Sequence, residues 1–195
     1  MREELLKLSR KGNGIVTSAA VTEAGFARRE LTEAVQRGDF VRLARGIYAT
    51  PEAWEDEFAL TQHRFSRGVF SHETALYLHG LTDRVPDALD MTFPHGYNTS
   101  NAKAAGVNTR TITPGLHEFG VTEIATTYGI MVRAYCSERA LCDLFRSNIT
   151  PDLQLAIPAI RSYLSSEARN TLRLMEYARK MRVEAKLRPY VEAML

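Results

Sequence analysis

Between Arg28 and Arg37 the chain carries three arginines, a threonine and a glutamine (Arg28, Arg29, Thr32, Gln36 and Arg37). Their side chains are the kind that engage nucleic acid. A guanidinium can take guanine bidentately, an amide can take adenine, and a hydroxyl can reach a phosphate. Leu31, Ala34 and Val35 recur at i, i+3 and i+4 among them, so residues 27–37 predict a helix with an apolar stripe turned to a core and its polar residues turned away. Arg42 and Arg45 follow, in an alternating Phe40-Val41-Arg42-Leu43 and a glycine-containing Ala44-Arg45-Gly46, before Ile47-Tyr48-Ala49 resumes as strand. This is a hairpin, with phosphate contacts expected from Arg42 and phosphate or minor-groove contact from Arg45 at its tip. Thr17 and Ser18 are cap residues before a helix over 19–24, whose N-terminus can itself receive a phosphate. Glu30 and Glu33 interrupt the basic run, and a merely solvated helix face has the same composition.

Other chemistries are harder to support. The chain has five histidines. His72 and His79, on one expected helix, lie about 10 Å apart along its axis, too far for both to ligate one ion. Cys136 and Cys142 have no Cys-x-x-Cys partner, and both are expected to be buried thiols. Pro86-Asp87 before a strand matches the opening of a metal-dependent nuclease motif, but the strand expected at 107–113 lacks the acidic-x-lysine triplet, and Glu184-Ala185-Lys186 lies in a terminal helix. No Gly-Ser with paired aspartates and no phosphate-cradling loop occurs. No catalytic residue, metal or cofactor is expected. The alternative to keep in view is a cryptic enzyme acting on nucleic acid or nucleotide through Asp87, Asp90 and the loop from His95.

The elements that position these residues follow from pattern. Length is 195 residues, with 45% hydrophobic and 25% charged residues and a net charge of +2, as in a globular protein. The charge is uneven: residues 1–50 carry +3, residues 51–150 carry −4 and residues 151–195 carry +3. No apolar run is long enough to span a membrane, and Met1-Arg2-Glu3-Glu4 is not a signal-peptide start, so a cytoplasmic location is expected.

A helix over 2–11 stopped at Gly12-Asn13-Gly14, a strand stub at Ile15-Val16, two helices joined at Gly25 and the hairpin give the order of a winged helix-turn-helix within fifty residues. Thr50-Pro51 is the expected boundary. Beyond it, helices are expected over 55–65 and 71–81, a strand at 89–93, a long polar loop over 95–106, and strands at 107–113, 118–124 and 128–135. From 137 the chain reads as helical: 137–146, 153–164, 168–182 and a last turn or two. The fold class is therefore α+β: an N-terminal winged helix-turn-helix domain (1–50), then a mixed α/β domain (51–195) with a small sheet and a C-terminal helical bundle. Arg169, Arg173, Arg179, Lys180, Arg182, Lys186 and Arg188 form a second basic surface on those last helices. Such a surface is often only solvated, but it could lengthen a DNA footprint or meet an acidic partner.

Three blocks resemble the AbiEi family antitoxins of bacterial abortive-infection (phage-resistance), type IV toxin-antitoxin systems. They are Phe40-Val41-Arg42-Leu43-Ala44-Arg45-Gly46-Ile47-Tyr48, Phe70-Ser71-His72-Glu73-Thr74-Ala75-Leu76-Tyr77-Leu78-His79-Gly80-Leu81 and Tyr135-Cys136-Ser137-Glu138-Arg139-Ala140-Leu141-Cys142-Asp143-Leu144. Ala27 departs from the Ser or Thr usual at the start of the recognition helix. The resemblance implies a winged helix that represses its own operon by binding inverted repeats in promoter DNA. It also implies a C-terminal domain that counteracts a nucleotidyltransferase toxin without a stable complex. A monomer in solution with two copies on DNA is expected. The rival of a different class is a protein-interaction module that sequesters the toxin, with the winged helix as scaffold.

Overall fold

A computed structural model describes residues 2–12, 14–44, 46–146 and 151–195. The chain divides into two compact units, Met1–Phe65 with Ala125–Val132, and Ser66–Ile124 with Arg133–Leu195.

The first unit begins with α1 (Arg2–Lys11), β1 (Ile15–Thr17), α2 (Ser18–Glu23), α3 (Arg28–Gln36), β2 (Val41–Ala44) and β3 (Ile47–Ala49). The strands form one sheet in the order β1-β3-β2, both pairings antiparallel, with a register irregularity between Arg42 and Ala44. Leu5, Val16, Val21, Leu31, Ala34 and Phe40 form its core, each at most 3% exposed. The i, i+3 stripe read from α3 is thus the stripe that is buried. Thr17, one of the two expected caps, is the one used: its Oγ1 accepts from Ala20 N–H at 3.1 Å. The turn into α3 is closed by Gly25 at φ +86°, with Gly25 N–H donating to Thr22 and Phe26 N–H to Val21. This left-handed stop is the arrangement glycine favours.

Thr50-Pro51 is not a linker. Thr50 Oγ1 accepts from Ala53 N–H to cap α4 (Pro51–Glu55), and Pro51 occupies the first turn, where its missing N–H costs nothing. Ala53 is fully buried, in a cluster with Ile15, Ala49, Ala59 and Ile130. The expected helix over 55–65 is broken at Asp56, whose Oδ1 caps α5 (Glu57–Arg64) by accepting from Ala59 N–H at 3.0 Å, while its Oδ2 accepts from Thr126 Oγ1. The compact unit therefore runs past the expected boundary to Phe65.

Gly14 ties β1 to this segment. It sits at φ +80°, its carbonyl accepts from Thr50 N–H at 2.8 Å, and a Cβ there would lie 2.6 Å from that of Ala53. Gly14→Ala is expected to cost about 2 kcal/mol, from the left-handed backbone plus the crowding, read as a lower urea midpoint with unchanged slope.

The second unit contains β4 (Val69–Phe70), α6 (His72–Leu78), β5 (Asp90–Pro94), α7 (Ser100–Ala104), β6 (Asn108–Ile112) and α8 (Pro114–His117). β7 (Val121–Ala125) and β8 (Met131–Tyr135) follow, with Ala125, Met131 and Val132 belonging to the first unit, then α9 (Ser137–Leu144), α10 (Leu153–Ser165), α11 (Thr171–Lys180) and α12 (Glu184–Glu192). The sheet order is β6-β5-β4-β8-β7, with β4 antiparallel to β5 and parallel to β8, and β5 parallel to β6. Residues 90–93 are all buried, so the alternation expected there is that of a strand covered on both faces. The polar run over 95–106 is not one long loop, because it holds α7 with Ala102 buried. α6, α9, α10, α11 and α12 share one apolar core that includes Leu76, Leu141, Ile160, Leu174 and Leu187. Cys136 and Cys142 are buried free thiols, as expected, and burial pushes both thiols above their ordinary range. No helix among the described residues is long and apolar enough to cross a membrane.

Candidate nucleic-acid interface

α3 separates its two kinds of residue cleanly. Leu31 and Ala34 are 0% and 1% exposed, whereas Arg28, Arg29, Thr32 and Gln36 are all exposed. At 3.6 residues per turn these four fall within an arc of about 100°, with Arg28, Thr32 and Gln36 on one i, i+4 row. Among the described residues, no hydrogen bond, ion pair or ring contact engages Arg28 or Arg29. The face therefore presents two unneutralised guanidinium groups, a hydroxyl and an amide from one rigid helix.

The acidic neighbours have work of their own. Ala27 cannot cap α3 with a side chain, but Glu30 Oε1 accepts from Ala27 N–H at 3.2 Å. This is the return half of a capping box, and it places Glu30 at the positive end of the helix dipole. Asp39 is buried and accepts from Arg37 Nε at 2.9 Å, so Arg37, though exposed, is partly neutralised and anchored at the helix end. Sequence reasoning had no role for Glu30 or Asp39. The i, i+3 spacing of Glu30 from Ala27 was the signal for the first.

Arg42 is exposed on β2, opposite Tyr48 of β3, and Thr17 and Ser18 are half-buried at the start of α2. Ser18 is also tied to the hairpin, its N–H donating to the Gly46 carbonyl at 2.8 Å. Arg45 lies outside the described residues. The arrangement thus supplies donors from α3, from β2 and from the start of α2, all within the first unit.

The residues of the second basic cluster are all exposed, but much of their charge is committed locally. Arg179 and Arg188 both pair with Glu184, Arg188 also with Glu192, and Arg173 lies 3.7 Å from Glu138. Lys180 stands 3.9 Å over the Phe119 ring, and Arg169 donates to the Leu164 carbonyl. Arg182 follows α11 at φ +59°, and Lys186 lies on α12. In contrast with α3, this surface is a network of cations holding its own carboxylates.

The residues weighed for other chemistry are dispersed. Asp90 is buried and ion-paired with Arg110 at 2.6 Å, while Asp87 is exposed outside any regular element. His79 Nε2 meets the Tyr135 carbonyl at 2.8 Å, which makes that nitrogen a donor, and His72 Nδ1 meets Ser71 Oγ at 3.1 Å. No group of three or more His, Cys, Asp or Glu arranged to hold a metal occurs among the described residues.

Comparison with known proteins adds a family and a fold. No curated protein matches the chain. The structure is similar to the crystal structure of RV2827C protein from Mycobacterium tuberculosis, at TM-score 0.51 and 15% identity, over 95% of this chain and 78% of that one. A likeness at that identity is one of fold. Residues 3–51 match the family model described as "Transcriptional regulator, AbiEi antitoxin". The match covers α1 to β3, including the α3 face, whereas the resemblance read from blocks 70–81 and 135–144 lies outside it. Through residues 3–51 the chain thus matches the AbiEi antitoxin family of transcriptional regulators, the family its sequence resembles.

Proposed function

We propose that this protein is a DNA-binding antitoxin that represses its own operon, with residues 1–50 acting as a winged helix-turn-helix inside the first unit and the second unit acting as the antitoxin domain. The observation that carries the reading is the unpartnered Arg28, Arg29, Thr32 and Gln36 face on a helix preceded by a short helix and followed by a hairpin. In this reading α3 enters the major groove, where Arg28, Arg29 and Gln36 meet base edges. Arg37, Arg42, Arg45, Thr17 and Ser18 contact the phosphates on either side. The element order α-β-α-α-β-β and the β1-β3-β2 sheet support it, since this is the layout of winged helices.

Two copies on an inverted repeat are part of the same proposal, as is opposition to a nucleotidyltransferase toxin without a stable complex. The protein acts in this reading as a regulator without catalytic residues, in the cytoplasm. The test is a gel shift with the DNA upstream of the gene against a scrambled duplex at fixed salt. Preferential binding is expected, with two shifted species on an intact inverted repeat and one on a half-site. Equal affinity for both duplexes removes the repressor assignment.

Gln36→Ala separates readout from attraction. An amide contributes no net charge, so the variant is expected to lose about 1–3 kcal/mol on the specific site while binding to scrambled DNA is unchanged. An equal loss on both duplexes would place Gln36 at a phosphate instead.

A further inference from the structure

The second unit contains a cavity of about 380 Å³ whose wall includes Arg110, Arg139 and Arg146, together with His72, Thr92 and Asp143. Three guanidinium groups face one carboxylate there, in a unit that lies outside the family match and plays no part in the DNA reading.

Arg139 is the centre of the site. Its side chain is 0% exposed, with Nε donating to Asp143 Oδ1 at 3.1 Å and Nη1 donating to the Leu116 and Phe119 carbonyls, each at 2.9 Å. The guanidinium lies 4.2 Å from the centre of the Tyr135 ring. Nη2, by contrast, is buried and has no hydrogen-bond partner. Leaving such a donor unsatisfied is costly, and the local structure accounts for every other arm of this side chain. Asp143 Oδ1 accepts from Arg139, whereas its Oδ2 is, like Arg139 Nη2, buried without a hydrogen-bond partner, and burial raises this carboxyl to about 6, so a bound anion would favour its protonated form.

The other donors stand around it. Arg110, on β6, uses Nη1 for Asp90 and keeps its remaining N–H groups. Arg146 is exposed just beyond α9. His72 begins α6 at φ +50°, a left-handed conformation uncommon for a side-chain-bearing residue and characteristic of sites whose surroundings hold it there. Burial first, then the charges of Arg110, Arg139 and Arg146, hold His72 down to about 3, so its ring is neutral. Thr92 Oγ1 donates to Ser71 Oγ, which also shares a hydrogen bond with His72 Nδ1 at 3.1 Å, so the ring is held in place at the cavity wall.

We propose that this cavity is a binding site for the terminal phosphate of a small phosphomonoester, clamped by the accessible guanidinium groups of Arg110 and Arg146, with the buried charge of Arg139 behind them. Planar guanidinium donors converging on one partly enclosed space suit a tetrahedral dianion. A volume near the lower end for ligand pockets leaves room for a modest organic group behind it. A chain-internal phosphodiester carries a single charge and substituents on both sides, and it fits a partly enclosed pocket poorly.

The test uses the full chain. Thermal melts are recorded with inorganic phosphate, with glycerol 3-phosphate and with a dinucleotide lacking terminal phosphate, each against sodium chloride at matched ionic strength. Phosphate and the monoester are expected to raise Tm and the dinucleotide to leave it unchanged. Arg146→Ala, an exposed position whose loss should leave the fold intact by circular dichroism, is expected to weaken monoester binding at least tenfold by calorimetry. Arg110→Gln provides a second variant with the same expected direction. Absence of any shift beyond chloride, or equal binding by wild type and both variants, overturns the proposal, and a dinucleotide bound as tightly as the monoester overturns the terminal-phosphate assignment. Operator binding through α3 is measured separately, so failure here leaves that reading untouched.

Discussion

Replacing Arg28 and Arg29 together by alanine is expected to lower affinity for operator DNA by about a hundredfold at fixed salt, roughly 3 kcal/mol. Each guanidinium either reads a base or neutralises a phosphate, and each such contact is worth about 1–3 kcal/mol. The dependence of affinity on salt separates the two roles. If both residues meet phosphates, the slope of log K against log salt becomes shallower by about 2, whereas base contacts leave more of the slope in place. Folding stability is expected to change by no more than about 0.5 kcal/mol, because both side chains are exposed and engage no described neighbour. Unchanged operator affinity in a folded double variant would sink the repressor reading. Arg37→Ala makes a weaker probe, since it also removes the ion pair with buried Asp39 at the end of α3 and so mixes a stability effect with the binding effect.

The N-terminal elements were legible because their signals are local. The Leu31, Ala34 and Val35 stripe, the stops at Gly25 and Gly38 and the alternation of Phe40 to Leu43 each act within a few residues, and the observed elements follow them. Thr50-Pro51 misled for an equally local reason. A threonine before proline suits both a linker and a helix start, and only the burial of Ala53 and the bond to Gly14 choose between them. β4 has two residues, too few to show any period, and it exists because β5 and β8 flank it. The cluster around Arg139 could not be assembled from the chain, since His72, Thr92, Arg110 and Arg146 come from separate elements. One trace of it was visible: Arg139 and Asp143 stand at i, i+4 around the apolar Ala140-Leu141-Cys142, where two charges on a buried helix must answer each other.

That pair carries the largest stability effect expected in the molecule. Asp143→Ala should cost about 3–5 kcal/mol in urea unfolding, because Arg139 would remain buried with its Nε unpaired. Asp143→Asn keeps an oxygen in place and should cost less. The pH dependence distinguishes a charge effect from a packing effect. Burial raises the Asp143 carboxyl to about 6 against the opposing pull of Arg139, above its usual value near 4. The folded state therefore holds more protons than the unfolded state between about pH 4 and 6, and this group's contribution to stability falls as pH rises through that window. His72, held neutral in the fold, acts in the opposite sense, because below about 6.5 the unfolded chain binds a proton that the folded chain does not. Asp143→Asn removes only the first contribution, so the gap between wild type and Asn variant should narrow as pH rises from 4 to 6 while the His72 contribution cancels between them. A gap that stays constant over that range would mean that the carboxyl is ionised throughout, with the ion pair outweighing its burial.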